Sequence, residues 1–240
     1  MGRNYGDRFL ENTPMRIGVV DDDETSISFI AQVLAAGGHS CVPFTRSSDV
    51  LPALRDDTFD LLILDWNMPD LSGIEIVSWA RANITPSPPI IVLTSRSDKE
   101  DIAAALNAGA DDFIIKPESA IVINARVEAL LRRSQAPPQR GDQQFGPYRF
   151  DLRGERVSLH DVDVMLTNKE FALALLFFTS LHKPLSRRYI MARIWKSMAD
   201  LSTRTLDMHV SRIRAKLKLC TDNGYRLETV FGYGYRLEVC

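Results

Sequence analysis

From Met15 to about residue 133 the chain alternates short apolar runs with longer amphipathic ones. The apolar runs are Arg16–Val20, Ser40–Phe44, Leu61–Leu64, Pro89–Leu93 and Asp112–Ile115, of a length that suits strands buried on both faces. Helical periodicity fills the gaps near 24–36, 48–56, 73–83, 98–108 and 119–133. Five strands and five helices in strict alternation predict an α/β fold, a doubly wound parallel sheet covered on both faces. Pro52 lies inside the second helical stretch and predicts a shortened or kinked helix. Residues 1–14 are polar and aperiodic, and read as a flexible extension.

The pattern changes after residue 133. Residues 134–145 are rich in Pro, Gln and Gly and read as a linker. Short strands are expected near 147–152, 156–160 and 162–166, followed by a helix opened by the capping-box sequence Thr167-Asn-Lys-Glu170. That helix, from Phe171 to Leu181, is strongly apolar and stops before Pro184. Ser186 is placed to cap a second helix through Trp195; a loop at 196–202 leads to a third, about 203–218. Two strands around a Gly-rich turn close the chain from Tyr225 to Leu237. Three helices followed by a hairpin are the order of a winged helix-turn-helix. The division is therefore a domain at 15–133 and a second at 146–240.

Composition narrows the function classes. No apolar run approaches the length of a membrane span, and the N-terminus lacks the apolar core of a signal peptide. Cys41, Cys220 and Cys240, odd in number and scattered, argue against a disulfide framework and for a reducing cytoplasm. Residues 1–133 carry 12 lysines and arginines against 20 acids, a net −8. Residues 134–240 carry 17 against 11, a net +6, so the overall −2 conceals an acidic half joined to a basic one. The first half suits cations and the second a polyanion.

The acidic half concentrates its chemistry at strand ends. Asp21 and Asp22, Asp65, Thr94 and Lys116 follow the first, third, fourth and fifth strands, the edge where parallel sheets bind ligands. Asp65 is delivered by four apolar residues and followed by the turn signal Pro69-Asp-Leu-Ser-Gly73. One acid, an acidic pair, a hydroxyl and a lysine are the parts of a magnesium-dependent site that accepts a phosphoryl group on Asp65. Asp21, Asp22 and Asp65 would ligate Mg²⁺ with the backbone carbonyl of Asn67; Lys116 and Thr94 would hold the phosphoryl oxygens.

Val19-Val-Asp-Asp-Asp-Glu24, Leu64-Asp-Trp-Asn-Met-Pro69, Val92-Leu-Thr-Ser95 and Gly109-Ala-Asp-Asp-Phe-Ile-Ile-Lys-Pro117 resemble the receiver motifs of two-component response regulators. The resemblance covers residues 15–133 and implies a flavodoxin-like (βα)5 fold. It also implies that Asp65 takes its phosphoryl group from a sensor histidine kinase, and that Phe113 is the switch aromatic. The second half resembles the OmpR/PhoB-type winged-helix effector. In that subfamily phosphorylated receivers form homodimers through the fourth helix, fifth strand and fifth helix, where Asp111, Asp112 and Arg126 match interface positions. Glu118 replaces a usual aromatic and Val122 a common acid, which implies fewer ion pairs there.

On a helical wheel of 203–218, Leu206, Val210, Ile213 and Leu217 gather on one side with His209 at its edge. Arg204, Met208, Ser211, Arg212, Ala215 and Lys218 cover the other, a face suited to the major groove of double-stranded DNA. The resemblance makes this the recognition helix, with Arg204, His209, Arg212 and Arg214 at positions that contact DNA; Thr205, Met208 and Ser211 on the same helix are taken as further DNA contacts. It makes 229–236 the wing, where Phe231 stands in place of a frequent arginine and Tyr233 follows. The 196–202 loop matches the segment some members use to contact RNA polymerase.

The expectation is a cytoplasmic transcription regulator switched by phosphorylation, not a conventional enzyme beyond assisting its own phosphoryl transfer. One rival is a phosphohydrolase of the haloacid-dehalogenase class, which leaves the winged helix without a role. Another is a winged helix that binds protein, which the Arg204/Arg212 face opposes.

Overall fold

The computed structural model describes residues 14–95, 99–134, 142–195 and 203–240. They fall into two compact units, divided between Ser134 and Asp142. The 196–202 loop and residues 1–13 lie outside the described residues.

The first unit runs β1 (Arg16–Val20), α1 (Glu24–Ala36), β2 (Ser40–Phe44), α2 (Ser47–Asp56), β3 (Leu61–Asp65), α3 (Gly73–Asn83), β4 (Ile90–Thr94), α4 (Lys99–Asn107), β5 (Asp112–Ile115) and α5 (Ala120–Ser134). The five strands are parallel in the order β2-β1-β3-β4-β5, the flavodoxin-like winding. Strand alternation sends side chains to two separate cores. Ile17, Leu61, Ile63 and Ile91 pack with α1 and α5, whereas Leu62, Leu64, Ile90 and Val92 pack with α2 and α3. Pro52 sits within α2 without ending it.

Caps explain where the helices begin. Asp23 accepts the Thr25 N–H at the start of α1, and Ser72 and Glu75 form a reciprocal capping box for α3. α1 therefore starts just after Asp21, and α3 at the end of the loop that follows Asp65.

The second unit begins with an antiparallel sheet of β6 (Gln143–Phe145), β7 (Tyr148–Asp151), β8 (Arg156–Leu159) and β9 (Val162–Val164). Then come α6 (Asn168–Thr179), β10 (Leu185–Ser186), α7 (Arg187–Trp195), α8 (Thr203–Lys216), β11 (Tyr225–Val230) and β12 (Gly234–Val239). The last two strands form the hairpin, and β10 adds to it in the order β10-β12-β11. Every residue of α6 from Glu170 to Phe178 is buried, and from Phe171 onward the stretch is apolar all round because it lies central to the core. Phe178 touches the rings of Phe145, Tyr148, Phe150 and Tyr225, joining the two sheets.

The linker expected over 134–145 is too long at both ends. Ser134 still belongs to α5, and Gln143–Phe145 pairs with β7. The Gln-Gln-Phe run has no alternation of its own; pairing and the Phe145–Phe150 contact make it a strand. The two-residue β10 escaped notice for the same reason.

Candidate functional site

β1, β3, β4 and β5 end together, and their ends form an acidic pocket. Asp21, Asp65 and Thr94 are buried there, while Asp22 is exposed. Carboxylate oxygens from Asp21, Asp22 and Asp65 lie within 4.8 Å of one another. Lys116 Nζ bridges two of them, donating to Asp21 Oδ2 at 2.7 Å and Asp65 Oδ1 at 2.6 Å. Its backbone N–H donates to the Thr94 carbonyl at 2.7 Å, which fixes the loop after β5 against β4.

Burial raises the Asp65 pKa, against the lowering pull of Lys116 and of the Asn67 N–H that donates to Oδ2 at 2.9 Å. For Lys116 burial works downward, but its bonds to Asp21 and Asp65 prevail and the pKa is raised. The cluster thus holds more carboxylate than one lysine neutralises. A small hard cation with oxygen ligands fits that donor set.

Sequence reasoning missed two residues that shape this pocket. Ser26 Oγ donates to Asp21 Oδ2 at 2.6 Å, and the Asp23 N–H donates to Oδ1 at 2.9 Å, so Asp21 is held from three sides. Gly73 opens α3 under the end of β3, where a Cβ would meet the Asp65 carbonyl oxygen at 2.4 Å. A glycine immediately after the capping serine was the available signal for it. At the mouth of the pocket the exposed Asn67 donates its side-chain amide to Ser95 Oγ at 3.4 Å.

Phe113 is half-buried on β5. Asp111 accepts Arg81 Nη2 at 2.6 Å and the Ile90 N–H at 2.7 Å, and Asp112 pairs with Arg126 at 2.9 Å. On α4, β5 and α5, Leu106, Ile115 and Ile121 are exposed, Ile121 by 82%.

In the second unit Leu206, Val210, Ile213 and Leu217 are fully buried. Arg204, Met208, Ser211, Arg212, Ala215 and Lys218 are exposed, and Thr205 is half-buried. Two of the expected contacts also bond within the unit. Arg214 Nε donates to the Leu227 carbonyl at 2.8 Å and Nη2 to Thr229 Oγ1 at 3.1 Å, tying α8 to β11. His209 is half-buried, bonds the Thr205 carbonyl at 2.8 Å and meets the Trp195 ring edge-on. Phe231 at the hairpin tip is 100% exposed, and Tyr233 is half-buried.

Comparison with known proteins decides the family. Residues 17–128 match the response regulator receiver domain, and residues 161–237 match the transcriptional regulatory protein C-terminal domain. Sensory transduction protein RegX3 of Mycobacterium tuberculosis is 32% identical over 223 residues, covering 92% of this chain and 97% of the relative. The chain belongs to the OmpR/PhoB-type response regulators. Two further relatives of this response regulator span nearly the whole chain. Transcriptional regulatory protein PrrA of M. tuberculosis is 33% identical, covering 95% of this chain and 97% of the relative. DNA-binding response regulator MtrA of Mycolicibacterium smegmatis is 30% identical, covering 95% and 98%. Among solved structures, the response regulator DrrB of Thermotoga maritima is 28% identical, covers 94% of this chain and 99% of its own, and has a TM-score of 0.47. The first unit is accordingly the receiver and the second the effector, and the regulator couples phosphorylation to transcription. Among the described residues, no helix is long and apolar enough to cross a membrane.

Proposed function

We propose that Asp65 is the phosphoryl acceptor of this regulator and that a sensor histidine kinase is the donor. An oxygen of Asp65 attacks phosphorus in line, the P–N bond of the phosphohistidine breaks, and the imidazole leaves with the electron pair. Asp21, Asp22, Asp65 and the Asn67 carbonyl would hold Mg²⁺, which supplies neutralising charge to the phosphoryl oxygens when bound. Lys116, already in contact with Asp65, stays beside the new phosphoryl group as its counter-charge. Thr94 offers its hydroxyl to that group, and Phe113 on the neighbouring strand repacks in response. The observation that carries this reading is the Lys116 ammonium shared between two buried carboxylates at converging strand ends.

Phosphorylated receivers pair through the face of Leu106, Ile115 and Ile121, with Asp111, Asp112 and Arg126 at its polar margin. Pairing raises the effective concentration of two effectors at tandem half-sites, so affinity rises without a new base contact. Arg204, Thr205, Met208, Ser211 and Arg212 meet the major groove, with Phe231 and Tyr233 on the wing beside it. Arg214 and His209 support the helix rather than touch bases. RNA polymerase is contacted through 196–202, and the regulator works in the cytoplasm. Labelling with acetyl phosphate, followed by gel filtration and footprinting, tests the chain of events. Labelling that persists in excess EDTA would contradict the metal requirement.

A further inference from the structure

Asp207 is out of place by charge. It sits on α8 within one turn of Arg204 and Ser211, on the helix that meets a polyanion, where a carboxylate repels phosphate. Its contacts account for it. Asp207 Oδ1 accepts Arg187 Nη1 at 2.6 Å, at the start of α7, and it also accepts the Tyr235 hydroxyl on β12. Arg187 reaches the same hydroxyl through Nη2 at 3.3 Å, and its backbone N–H donates to the Tyr233 carbonyl at 3.0 Å. Two guanidinium carbons lie near the Tyr235 ring, Arg187 at 5.3 Å and Arg214 at 5.5 Å from its centroid. Burial would raise the Asp207 pKa, but the Tyr235 and Arg187 hydrogen bonds lower it, so the group stays ionised.

We infer that Asp207, Arg187 and Tyr235 form a polar lock that sets α8 against the hairpin, making Asp207 a positioning residue for DNA readout. The inference rests on α8 being the recognition helix. The lock is anchored at its far side. Tyr235 is buried and meets Phe177 of the core, and β12 approaches β10 so closely that a Cβ on Gly234 would lie 2.1 Å from the Leu185 carbonyl oxygen. Arg214 adds a second tie, from α8 to β11. Helix and wing must enter adjacent grooves in a fixed relation for base contacts to register. Loose attachment still permits phosphate contacts, which tolerate small shifts.

Electrostatics alone and the lock predict opposite outcomes. Removing Asp207 deletes a negative charge, so a pure charge effect tightens binding to every duplex. Loss of the lock weakens binding to preferred sequences alone. The test uses the full chain with Mg²⁺ and acetyl phosphate, and measures affinity for two probes. One is a duplex selected by the wild type from a random-sequence library; the other is a shuffled duplex of equal composition.

Asp207→Ala is expected to weaken binding to the selected duplex by roughly tenfold or more, the scale of one charged hydrogen bond. Shuffled-duplex binding holds or tightens, so the ratio falls. Tyr235→Phe, which removes only the hydroxyl, loses specificity in the same direction by less. Asp207→Asn, which keeps an acceptor oxygen, falls between Asp207→Ala and wild type. A thermal melt identifies any variant that fails to fold, and the milder pair then decides. Parallel tightening on both probes with an unchanged ratio would overturn the lock, as would wild-type specificity in Tyr235→Phe. If the wild type itself selects no sequence, the recognition-helix reading fails, and the lock with it.

Discussion

The receiver's pocket and the effector's helices hold their acids in opposite ways. In the receiver, Asp21, Asp22 and Asp65 converge on one lysine, and burial raises the Asp65 pKa. In the effector, two acids that join elements each pair with a cation: Glu170 with Lys216 at 2.7 Å and Asp207 with Arg187 at 2.6 Å. Both of those pKa values are lowered, although burial opposes it. Each arrangement suits a different kind of ligand. A pocket for a small ion keeps like charges together and under-neutralised. A surface for a polymer pairs its acids internally and leaves exposed arginines to the ligand.

The largest expected effect lies on the under-neutralised side. Asp65→Asn should abolish labelling by acetyl phosphate, read on a phosphate-affinity gel; undiminished labelling would place the acceptor elsewhere. On the paired side, Glu170→Ala removes a capping box together with the buried member of an ion pair. It should cost roughly 2–4 kcal/mol of effector stability in urea titration. A cost near zero would mean that the pairing is decorative. The same acid gives a pH dependence. Its folded pKa lies below the unfolded 4.5, so its stabilisation is present above about that pH. It is lost as pH falls through the folded value, and acid unfolding of Glu170→Gln should lack that component.

Two arginines on one helix sharpen the contrast further. Arg212→Ala should weaken specific binding by roughly 1–3 kcal/mol and lower the salt slope by about one. Arg214→Ala should leave the salt slope unchanged and instead lower stability by about 1 kcal/mol, since its bonds go to the hairpin. Equal salt slopes in the two variants would erase the distinction between reader and support.

The receiver was legible because its sheet is built from apolar runs whose period and length specify buried strands. Asp21, Asp65, Thr94 and Lys116 follow those runs directly, so topology alone groups them. Ser26 was not legible: a hydroxyl on a helix shows nothing of its Asp21 contact until the helix is docked. In the effector the wheel separated buried from exposed positions on α8 correctly. It put His209 at the edge of the buried side, where it is half-buried, but could not show the partners of Arg214 and His209, which lie on other elements or in the helix backbone. The Arg187–Asp207–Tyr235 cluster joins residues 20 and 28 positions apart, beyond any local pattern. A lone acid in a basic helix was its one trace.

Gly73 restricts which substitutions the receiver can accept. Any base change that replaces a glycine with another residue adds a Cβ, and here that atom would lie 2.4 Å from a backbone oxygen of Asp65. A neighbour that is main chain has no rotamer with which to step aside. Position 73 is therefore closed to drift for as long as the carboxylate beside it must keep its place.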